Sequence, residues 1–392
     1  MNQRQLFLQH VAQTSASPLA LEMVEAKGCK IRDVNGKEYI DLIAGISVCN
    51  VGHCHPEVVD AIKSQAESYL HLIVYGEFIQ SPQVQYATRL TSHLPENLNC
   101  VYFTNSGAEA IEGAMKLAKR ITNKTEIIAF KNSYHGSTQG ALSIIGDEYW
   151  RNAFRPLLPG VIHARHNSME SLNSITSQTA CVIAEVVQAE AGVKTPSREW
   201  ITALRRRCSE TGALLVFDEV QTGFGRTGSL WSFEQFGVVP DILVLGKALG
   251  AGMPLGAFIA SREMMQVLTD QPVLGHITTF GGHPVSCAAG LAGFRVLLRE
   301  NYIADVKRKE ALFLEKINHP SIKKIYHQGL WLALDFGTFG ICKQVIDYCI
   351  ANGLITDWFL FAPECMRIGP PLSISDEEII KACEIINSAP VN

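Results

Sequence analysis

"LLVFDEVQTGFGRTG", residues 214–228, contains an apolar run, two adjacent acids and three spaced glycines. The apolar residues 213–217 do not alternate with polar ones, so they predict a strand covered on both faces, as in a parallel sheet. Asp218 and Glu219 follow this strand directly. The glycines match the G-x-G-x-x-G spacing of a dinucleotide-binding loop. The stretch therefore predicts an α/β fold with a ligand at a strand end, bound either by the glycines or by the acid.

Comparable apolar runs recur between helix-like stretches. Helical spacing places Ile111, Met115 and Ala118 on one face, and Leu204 and Cys208 on one face of a later stretch. Alternating strands and helices predict a mostly parallel, doubly wound sheet. The predicted strands are 101–104, 127–130, 181–187, 213–217, 242–245 and 256–260.

The two ends of the chain differ from its middle. In "CKIRDVNGKEYIDL", Asn35-Gly36 separates two strand-like runs, which is the pattern of a tight hairpin. The last hundred residues mix helical and short strand patterns, and no linker or internal repeat is visible. We therefore expect residues 1–50 and 291–392 to form one small α+β domain beside a large domain at 51–290.

Charge and composition exclude several classes of protein. The net charge is −4 and the isoelectric point is near 6.3, with Lys and Arg spread along the chain, so we expect no nucleic-acid or membrane partner. The start lacks the apolar segment of a signal peptide, and no apolar run is long enough to cross a membrane. The 11 scattered cysteines favour free thiols. We expect a cytoplasmic protein that acts on small molecules.

Four potential metal ligands, Cys49, His53, Cys54 and His55, cluster in "CNVGHCHP". Zinc sites usually take their ligands from two separated pairs, and no second pair matches this one. The cluster therefore favours a structural turn ending at Pro56, and we expect no metal.

The segment "NSGAEAIEGAMKLAKR" follows the strand at 101–104. Ser106 is a good helix N-cap, and Glu109 three residues later completes the pattern of a capping box. Gly107 would let the backbone approach an anion closely, where free amides and the helix dipole favour negative charge. The segment predicts either a plain capped helix or a phosphate-binding helix start.

Lys247 is the only charged residue in "ILVLGKALGAGMPLGAFIAS", residues 242–261. Its side chain either extends along apolar surface toward water or lies in an apolar pocket. In a pocket, desolvation would lower the pKa of the amine and make it a nucleophile that can form a Schiff base. The strand end and the flanking glycines leave both interpretations open.

The acid explains "DEVQTGFGRTG" better than the glycines do. A dinucleotide-binding loop places its first glycine directly after the strand and then starts a long helix. Here residues 218–222 intervene, and only a short, interrupted segment follows Gly228. Asp218, Lys247 and the helix start at Ser106 instead match the needs of pyridoxal phosphate (PLP): an acid for the ring nitrogen, a Schiff-base lysine and a phosphate seat. The glycines then predict a turn that leads the chain away from the site.

The sequence resembles the class III (omega-type) aminotransferases of PLP fold type I over nearly its whole length, and especially acetylornithine, ornithine and 4-aminobutyrate aminotransferases. The resemblance implies an α/β fold with a large PLP-binding domain and a small α+β domain built from both termini. The matching segments are "GHCHPEVV" at 52–59, "NSGAEAIEGAMKLAK" at 105–119, "SYHGST" at 133–138, "DEVQTGFGRTG" at 218–228, "PDILVLGKALGAGMPLGA" at 240–257, "TTFGGHP" at 278–284 and "RIGPPL" at 367–372.

The resemblance implies a role for each matching residue. Lys247 would form the Schiff base with PLP, and Asp218 would bind the pyridine nitrogen. Tyr134 and Val220 would cover the two faces of the ring. Thr279 would reach the phosphate of the neighbouring subunit, which implies a homodimer with shared active sites. The other implied cofactor contacts are the phosphate cup of Ser106, Gly107 and Ala108, Gln221 at the phenolic oxygen, and His135 and Glu185.

Three further residues are implied in substrate binding. Arg367 matches the arginine that holds a substrate carboxylate, for which a planar guanidinium is well suited. Glu190 matches an acid that can pair with Arg367 and mask its charge while an amine without an α-carboxylate is bound. Ile46 stands where ornithine aminotransferases tend to have tyrosine, which argues against ornithine.

The sequence also departs from the family pattern. Ser137 stands where acetylornithine-type enzymes usually carry an arginine for a second carboxylate, which weakens the case for acetylornithine and for 2-oxoglutarate as sole acceptor. Val186 and Ala189 replace a proline and a glycine of the segment E-P-x-Q-G-E-G-G that relatives commonly have around Glu190.

The expected reaction is a ping-pong transamination from an ω-amine or amino acid donor to a 2-oxo acid such as 2-oxoglutarate or pyruvate. A PLP-dependent aminomutase or racemase would use the same lysine and acid, and stays an alternative. A nicotinamide-dependent oxidoreductase is more remote because it depends on the glycines at 223, 225 and 228 alone.

Overall fold

The computed structural model describes residues 2–390. Its α-helices are α1 (Gln3–His10), α2 (Ala44–Ser47), α3 (Pro56–Ser68), α4 (Ser81–Thr91), α5 (Gly107–Thr122), α6 (Gln139–Ser143), α7 (Glu148–Arg151), α8 (Arg198–Thr211), α9 (Arg262–Gln266), α10 (Pro284–Arg299), α11 (Tyr302–Lys316), α12 (Phe339–Ala351) and α13 (Asp376–Asn387). Short 3₁₀ turns lie at Asn152–Phe154, Glu170–Ser174, Ser232–Gln235 and Lys247–Gly250.

The strands form one large and two small sheets. They are β1 (Met23–Lys27), β2 (Lys30–Asp33), β3 (Glu38–Asp41), β4 (Cys100–Thr104), β5 (Glu126–Phe130), β6 (Val161–Ala164), β7 (Thr179–Glu185), β8 (Leu214–Asp218), β9 (Ile242–Leu245), β10 (Gly256–Ala260), β11 (Lys324–His327), β12 (Leu332–Asp335), β13 (Leu354–Ile355), β14 (Trp358–Phe359) and β15 (Ala362–Ile368).

The large sheet has seven strands in the order β4-β10-β9-β8-β7-β5-β6. The pairs from β9 to β6 are parallel, and β10 is antiparallel to both of its neighbours. This arrangement confirms the mostly parallel, doubly wound α/β fold. Strand ends differ slightly from the prediction, since β7 ends at Glu185 rather than at 187 and β8 is shifted by one residue.

Helices cover the large sheet on both faces. On α5, Ile111, Met115 and Ala118 are buried as their spacing predicts, and on α8 Leu204 and Cys208 are buried. Each large apolar side chain removed from water contributes about 1.5–3 kcal/mol to folding. The strands β7 and β9 are buried along their whole length, as expected for strands covered on both faces.

The small lobe is α+β and draws on both ends of the chain. One of its sheets has the order β1-β2-β3-β13, in which β13 pairs parallel to β3 and so joins the two ends. The other sheet has the order β11-β12-β15-β14. The predicted hairpin is confirmed: β2 and β3 are antiparallel, and Gly36 takes a φ of +83° in the turn between them.

The helix α10 passes between the two lobes. It lies against α3, α4 and the turn after β9, and it also touches α11. The predicted boundary between the large domain and the C-terminal part of the small domain, at residue 290, falls inside this helix. The domain limits stay a prediction. No helix among residues 2–390 is both long enough and apolar enough to span a bilayer.

Candidate active site

A cavity of about 790 Å³ opens at the carboxyl edge of the large sheet. Ligands of doubly wound folds bind at this edge because loops that follow neighbouring strands meet there. Of the predicted cofactor residues, every one except Thr279 lines the cavity: Ser106, Gly107, Ala108, Tyr134, His135, Glu185, Asp218, Val220, Gln221 and Lys247.

The start of α5 forms one wall of the cavity. The Ser106 hydroxyl accepts a hydrogen bond from the Glu109 amide at 3.2 Å, which confirms the N-cap. The reciprocal half of the predicted capping box is wrong. The Glu109 carboxylate accepts from the Asn105 backbone amide at 2.9 Å and from its side-chain amide at 2.8 Å, instead of from Ser106. The first residues of α5, Gly107 and Ala108, line the cavity together with Ser106, and Gly107 places no side chain there.

Gly107 is required by close packing. A Cβ added there would lie 2.8 Å from Cγ2 of Val220, which is closer than real Cβ atoms come to other carbons. Gly246, before the lysine, is packed somewhat less tightly, since its Cβ would lie 3.1 Å from Cγ1 of Val220 and 3.2 Å from Cα of Gly107. The two glycines let the starts of two loops meet at the floor of the cavity and leave room for a bound group above them.

Asp218 is buried at the end of β8 and held on both oxygens. Its Oδ2 lies 2.7 Å from Nδ1 of His135, and its Oδ1 accepts from the Val220 amide at 2.9 Å. Glu219, the next residue, serves the fold instead. Its buried carboxylate accepts from the amides of Ser232 and Phe233, each at 2.7 Å. Burial raises the pKa of Glu219 to about 8, against the lowering effect of these two hydrogen bonds.

Lys247 lies two residues after the end of β9 and lines the cavity. Its backbone takes a φ of +46°, an uncommon conformation for a residue with a side chain and one that recurs at functional sites. Burial lowers the pKa of the Lys247 amine to about 8, while the carboxylates of Glu190 and Asp218 oppose this change. The pocket interpretation of this lysine is therefore the one that the geometry supports.

Three buried polar atoms among the cavity residues have no hydrogen-bond partner among residues 2–390: Nε2 of His135, Oε1 of Gln221 and Oγ1 of Thr222. Buried polar atoms are rarely left unpaired unless a ligand or water completes them. Glu185 accepts from the amides of Tyr134 and Ala189, each at 2.8 Å. Burial raises the pKa of Glu185 to about 7, against the lowering effect of the nearby His135 and of these two hydrogen bonds.

Arg367 and Glu190 form a buried pair beside the cavity. Two hydrogen bonds of 3.0 and 2.9 Å join the guanidinium to the carboxylate, and Asp357 accepts from Nε of Arg367 at 2.8 Å. Burial by itself would raise the pKa of Glu190, but the charge of Arg367 outweighs burial and lowers it to about 2. Gln221 links the pair to the cavity, because its amide nitrogen donates to Glu190 at 3.1 Å.

Besides Glu190 and Arg367, two other predicted residues do not line the cavity. Ile46 sits in a turn with a φ of +63°, and the nearby residue that lines the cavity is Val48. Thr279 is exposed, on a segment tied to the site by the bond from the Asn105 side-chain amide to the Thr278 hydroxyl at 3.2 Å. Ser137 does line the cavity, and its hydroxyl lies 3.1 Å from that of Tyr134.

The glycine-rich segment forms turns, as predicted, and no helix of the dinucleotide-binding kind follows it. Within it, Arg226 is fully buried, a role that sequence reasoning missed. Its guanidinium donates to the carbonyls of Leu330 and Pro370 at 2.8 and 2.6 Å, and to the Asn50 side chain at 2.6 Å. This arginine joins the small lobe to the turns that follow β8, the strand that ends at Asp218. Its hydrogen-bond partners are more than a hundred residues away in the sequence, so residue spacing does not reveal this role.

The Cys49–His55 cluster has a structural arrangement. Nε2 of His53 lies 2.7 Å from Oδ2 of Asp41, and Pro56 starts α3 as expected. Across the described part of the chain, no three His, Cys, Asp or Glu side chains come together in a way that could hold a metal ion.

Comparison with known proteins identifies the family. The sequence model of the family "Aminotransferase class-III" matches residues 11–389. The chain belongs to the class III aminotransferases. It is 38% identical to the acetylornithine aminotransferase of Methanosarcina mazei over 97% of this chain and 94% of that one. The ornithine aminotransferase of Toxoplasma gondii superposes with a TM-score of 0.90 at 30% identity, covering 98% of this chain and 92% of that one.

A third similar protein is an (S)-enantioselective omega-transaminase from Thermomicrobium roseum, with a TM-score of 0.90 at 27% identity, covering 98% and 97% of the two chains. This class III aminotransferase uses PLP to transfer amino groups between an amine or amino acid and a 2-oxo acid. The cavity fits the cofactor, because the glycine floor leaves room at a helix start and the unpartnered atoms of His135 and Gln221 lie on residues of its wall.

Proposed function

We propose that this aminotransferase takes the amino group of a terminal amine and passes it to a 2-oxo acid with a single carboxylate, such as pyruvate, in preference to 2-oxoglutarate. The observation that carries the proposal is the charge of the cavity wall. Among residues 2–390, Lys247 is the only lysine or arginine that lines the cavity, and Ser137 offers a hydroxyl at the wall where relatives would bind a second carboxylate.

The cofactor roles rest on the positions of four side chains. When bound, PLP supplies an electrophilic carbon and an electron-withdrawing ring. The amides at the start of α5 and the Ser106 hydroxyl would hold its phosphate, and Asp218 would accept a hydrogen bond from its ring nitrogen. His135 positions Asp218 through the 2.7 Å contact, so that the carboxylate is held in one orientation. Val220 and Tyr134 would cover the ring.

Lys247 acts as nucleophile and base. Its neutral Nζ would bind the cofactor and later carry a proton away from the substrate carbon. A pKa of about 8 leaves part of the amine neutral near neutral pH, whereas an ordinary lysine would be almost wholly protonated. Burial thus prepares the amine for both steps.

The Glu190–Arg367 pair explains how one pocket accepts two unlike substrates. While Glu190 neutralises Arg367, the pocket presents no free cation, which suits an amine whose reacting carbon bears no carboxylate. The carboxylate of a 2-oxo acid would replace Glu190 on the guanidinium and form the same bidentate geometry. Asp357 keeps its bond to Nε in either state, so the guanidinium stays in place.

The proposed specificity differs from that of the named relatives. The Methanosarcina mazei protein is named for acetylornithine and the Toxoplasma gondii protein for ornithine. In relatives of the first kind, an arginine at the position of Ser137 is expected to hold a carboxylate. Without that charge, a substrate with a second carboxylate would lose a charge-assisted hydrogen bond, worth about 1.5–3 kcal/mol.

We also propose a homodimer with shared active sites. Exposed apolar side chains are concentrated on the segments 70–79 and 273–280, and the rings of His71 and Phe280 lie 4.8 Å apart, so the segments form one patch. Ile79 is 96% exposed, and a patch of this kind marks a protein interface. The patch includes Thr279, which fits its predicted role in a second copy of this chain.

Sedimentation of the PLP-loaded enzyme tests the dimer. A mass twice that of one chain supports it, and Ile79→Asp should shift the protein toward single chains with weaker PLP binding.

All 11 cysteines are free, which fits the proposed cytoplasmic location, where thiols stay reduced.

A donor and acceptor panel tests the substrate proposal. The donors are 4-aminobutyrate, β-alanine, ornithine, N-acetylornithine and 1-phenylethylamine, each with pyruvate and with 2-oxoglutarate. With the best donor, kcat/KM for pyruvate should exceed that for 2-oxoglutarate by about tenfold or more, the cost of one missing charge-assisted contact. A preference of the same size for 2-oxoglutarate would contradict the proposal.

A further inference from the structure

A second cavity, of about 630 Å³, lies at the same edge of the large sheet but away from the residues described above. Lys131 and Asn132 follow β5, and Arg165 follows β6, so the floor is formed by the carboxyl ends of two parallel strands. The opposite wall is β11 of the small lobe, through Ile325, Tyr326 and His327. The cavity therefore lies between the two lobes, and a ligand in it would touch both.

The lining of this second cavity is basic. It includes Lys131, Arg165 and Lys194 together with two histidines, and it includes no aspartate or glutamate. None of the three permanent cations forms a salt bridge within residues 2–390. Among the lining residues, His327 contacts an acid, Glu310, which lies 2.8 Å from it and 3.2 Å from Lys307. Cations gathered in a concave site without acids raise the local potential and attract anions.

Ring contacts hold this wall in place. Nζ of Lys194 lies 2.9 Å from the centre of the Tyr326 ring, and Nζ of Lys324 lies 4.6 Å from it. His166 also lines the cavity, and its buried Nε2 has no hydrogen-bond partner in the described part of the chain. The two lysines gather positive charge at one aromatic ring, and neither of them forms a salt bridge within residues 2–390.

The second cavity shares a turn with the active site. Backbone hydrogen bonds of 3.0 Å in both directions join Gln188 to Lys194, and the turn that they close contains Glu190. The Gln188 side chain also donates to the Lys131 carbonyl at 2.8 Å. Gln188 and Lys194 line the second cavity, while Glu190 binds Arg367 beside the first. A ligand in the second cavity would therefore contact the turn that carries Glu190, the partner of Arg367.

We propose that this second cavity is a binding site for a small multivalent anion, carrying either phosphate or carboxylate groups, that bridges the two lobes. Arg165 and Lys131 supply charge from the large domain, and Lys194 supplies it from the turn that carries Glu190. The site is distinct from the phosphate seat at Ser106, and the proposal does not depend on the proposed substrate.

Calorimetric titration of the PLP-loaded enzyme at low ionic strength tests the proposal, with inorganic pyrophosphate and citrate as separate probes. We expect saturable binding of one anion per chain, weakening as sodium chloride is added because salt screens exposed charges. Binding of pyrophosphate alone would identify phosphate as the recognised group, and binding of citrate alone would identify carboxylates. Loading with PLP keeps the first phosphate seat filled.

Charge-neutralising variants locate the site. Arg165→Gln and Lys131→Gln should each weaken binding about tenfold, the cost of one charge-assisted contact. The matched control Lys381→Gln removes an exposed charge on α13 and should leave affinity unchanged. Because the anion joins two lobes, it should also raise the Tm of the wild type and of the control, and not that of the Lys131→Gln/Arg165→Gln double variant.

The proposal is overturned if neither probe binds saturably at low ionic strength. It is equally overturned if the double variant binds as tightly as the wild type, or if Lys381→Gln weakens binding as much as Arg165→Gln. All three substituted side chains are exposed, so the variants should fold, and their PLP absorbance provides a check on that.

Discussion

The guanidinium of Arg367 and the carboxylate of Glu190 are joined by two hydrogen bonds, of 3.0 and 2.9 Å, between side chains that are each buried. The pair neutralises Arg367, the arginine that we propose binds a substrate carboxylate. Its bidentate geometry is the geometry that a substrate carboxylate would need, so Glu190 and the substrate compete for the same atoms.

Removing Glu190 should separate the two half-reactions. In Glu190→Gln, the 2-oxo acid no longer competes with a carboxylate for Arg367, so the KM for the 2-oxo acid should fall several-fold. The kcat/KM for a terminal amine should also fall, because the charge of Arg367 is no longer neutralised by Glu190. Asp357→Asn is the control. It removes a different carboxylate from the same guanidinium, one that we expect to stay bound to Arg367 with either substrate. Steady-state kinetics with donor and acceptor varied in turn measure both effects. An equal change in both half-reactions would contradict the competition.

Arg367 itself should act on the carboxylate substrate. Arg367→Lys keeps the charge and loses the bidentate geometry, so KM for the 2-oxo acid should rise roughly 10- to 100-fold, the equivalent of about 1.5–3 kcal/mol. The donor half-reaction should change less. If the KM for the 2-oxo acid is unchanged, Arg367 does not bind that carboxylate.

Adding a cation at residue 137 should change acceptor choice. Ser137 lines the cavity and has only the Tyr134 hydroxyl as a side-chain partner, so Ser137→Arg would place a free guanidinium in the wall. We expect kcat/KM for 2-oxoglutarate to rise about tenfold relative to pyruvate. Ser137→Met adds similar bulk without charge and should produce no such change. A similar change with methionine would point to shape rather than charge.

Space at Gly107 should limit cofactor binding. Gly107→Ala places a Cβ 2.8 Å from Val220, and overpacking of this kind costs about 1–3 kcal/mol, so PLP affinity should fall about tenfold. The double variant Gly107→Ala/Val220→Ala should bind better than the sum of the single effects predicts. Gly340→Ala, where nothing lies within 4 Å of the added Cβ, is the control and should bind PLP normally. Additive single effects would show that the clash with Val220 is not the cause.

The contact of His53 with Asp41 should make stability depend on pH. The hydrogen bond to Asp41 raises the pKa of His53 from 6.5 to about 10, so the protonated ring is favoured in the folded state. A raised pKa means that the stabilisation is complete below about pH 6.5 and is lost as the pH rises toward 10. The Tm difference between the wild type and His53→Gln should therefore be large at pH 6 and small at pH 10. His10→Gln, an exposed histidine, should show no such trend; a constant difference for His53→Gln would contradict the assignment.

Much of the fold follows from short-range patterns. The strands at 242–245 and 256–260 begin and end as predicted, because their apolar runs are bounded by glycines and polar residues. The strand β6 was not predicted, since Val161–Ala164 is an edge strand with a mixed burial pattern and lacks a continuous apolar run. Element boundaries depend on pairing partners that a local window does not contain.

Site residues at strand ends could be predicted from the sequence. Contacts between segments that are distant in the sequence could not. Asp218 ends β8 and Lys247 lies two residues after β9, so their positions could be inferred. Arg226 is buried against residues more than a hundred positions away, and the basic cavity joins Lys131, Arg165 and Lys194 from three separate loops. Such arrangements depend on the three-dimensional fold, which residue spacing alone does not specify.

The most direct test of the account is the absorbance of the PLP-loaded enzyme during one turnover. A terminal-amine donor should remove the yellow colour, and pyruvate should restore it, while Lys247→Ala should still bind PLP and show neither change at a measurable rate. A wild-type protein that takes up no PLP, or a Lys247→Ala variant that cycles at a near-normal rate, would contradict the central claim that Lys247 and PLP carry out a transamination in this cavity.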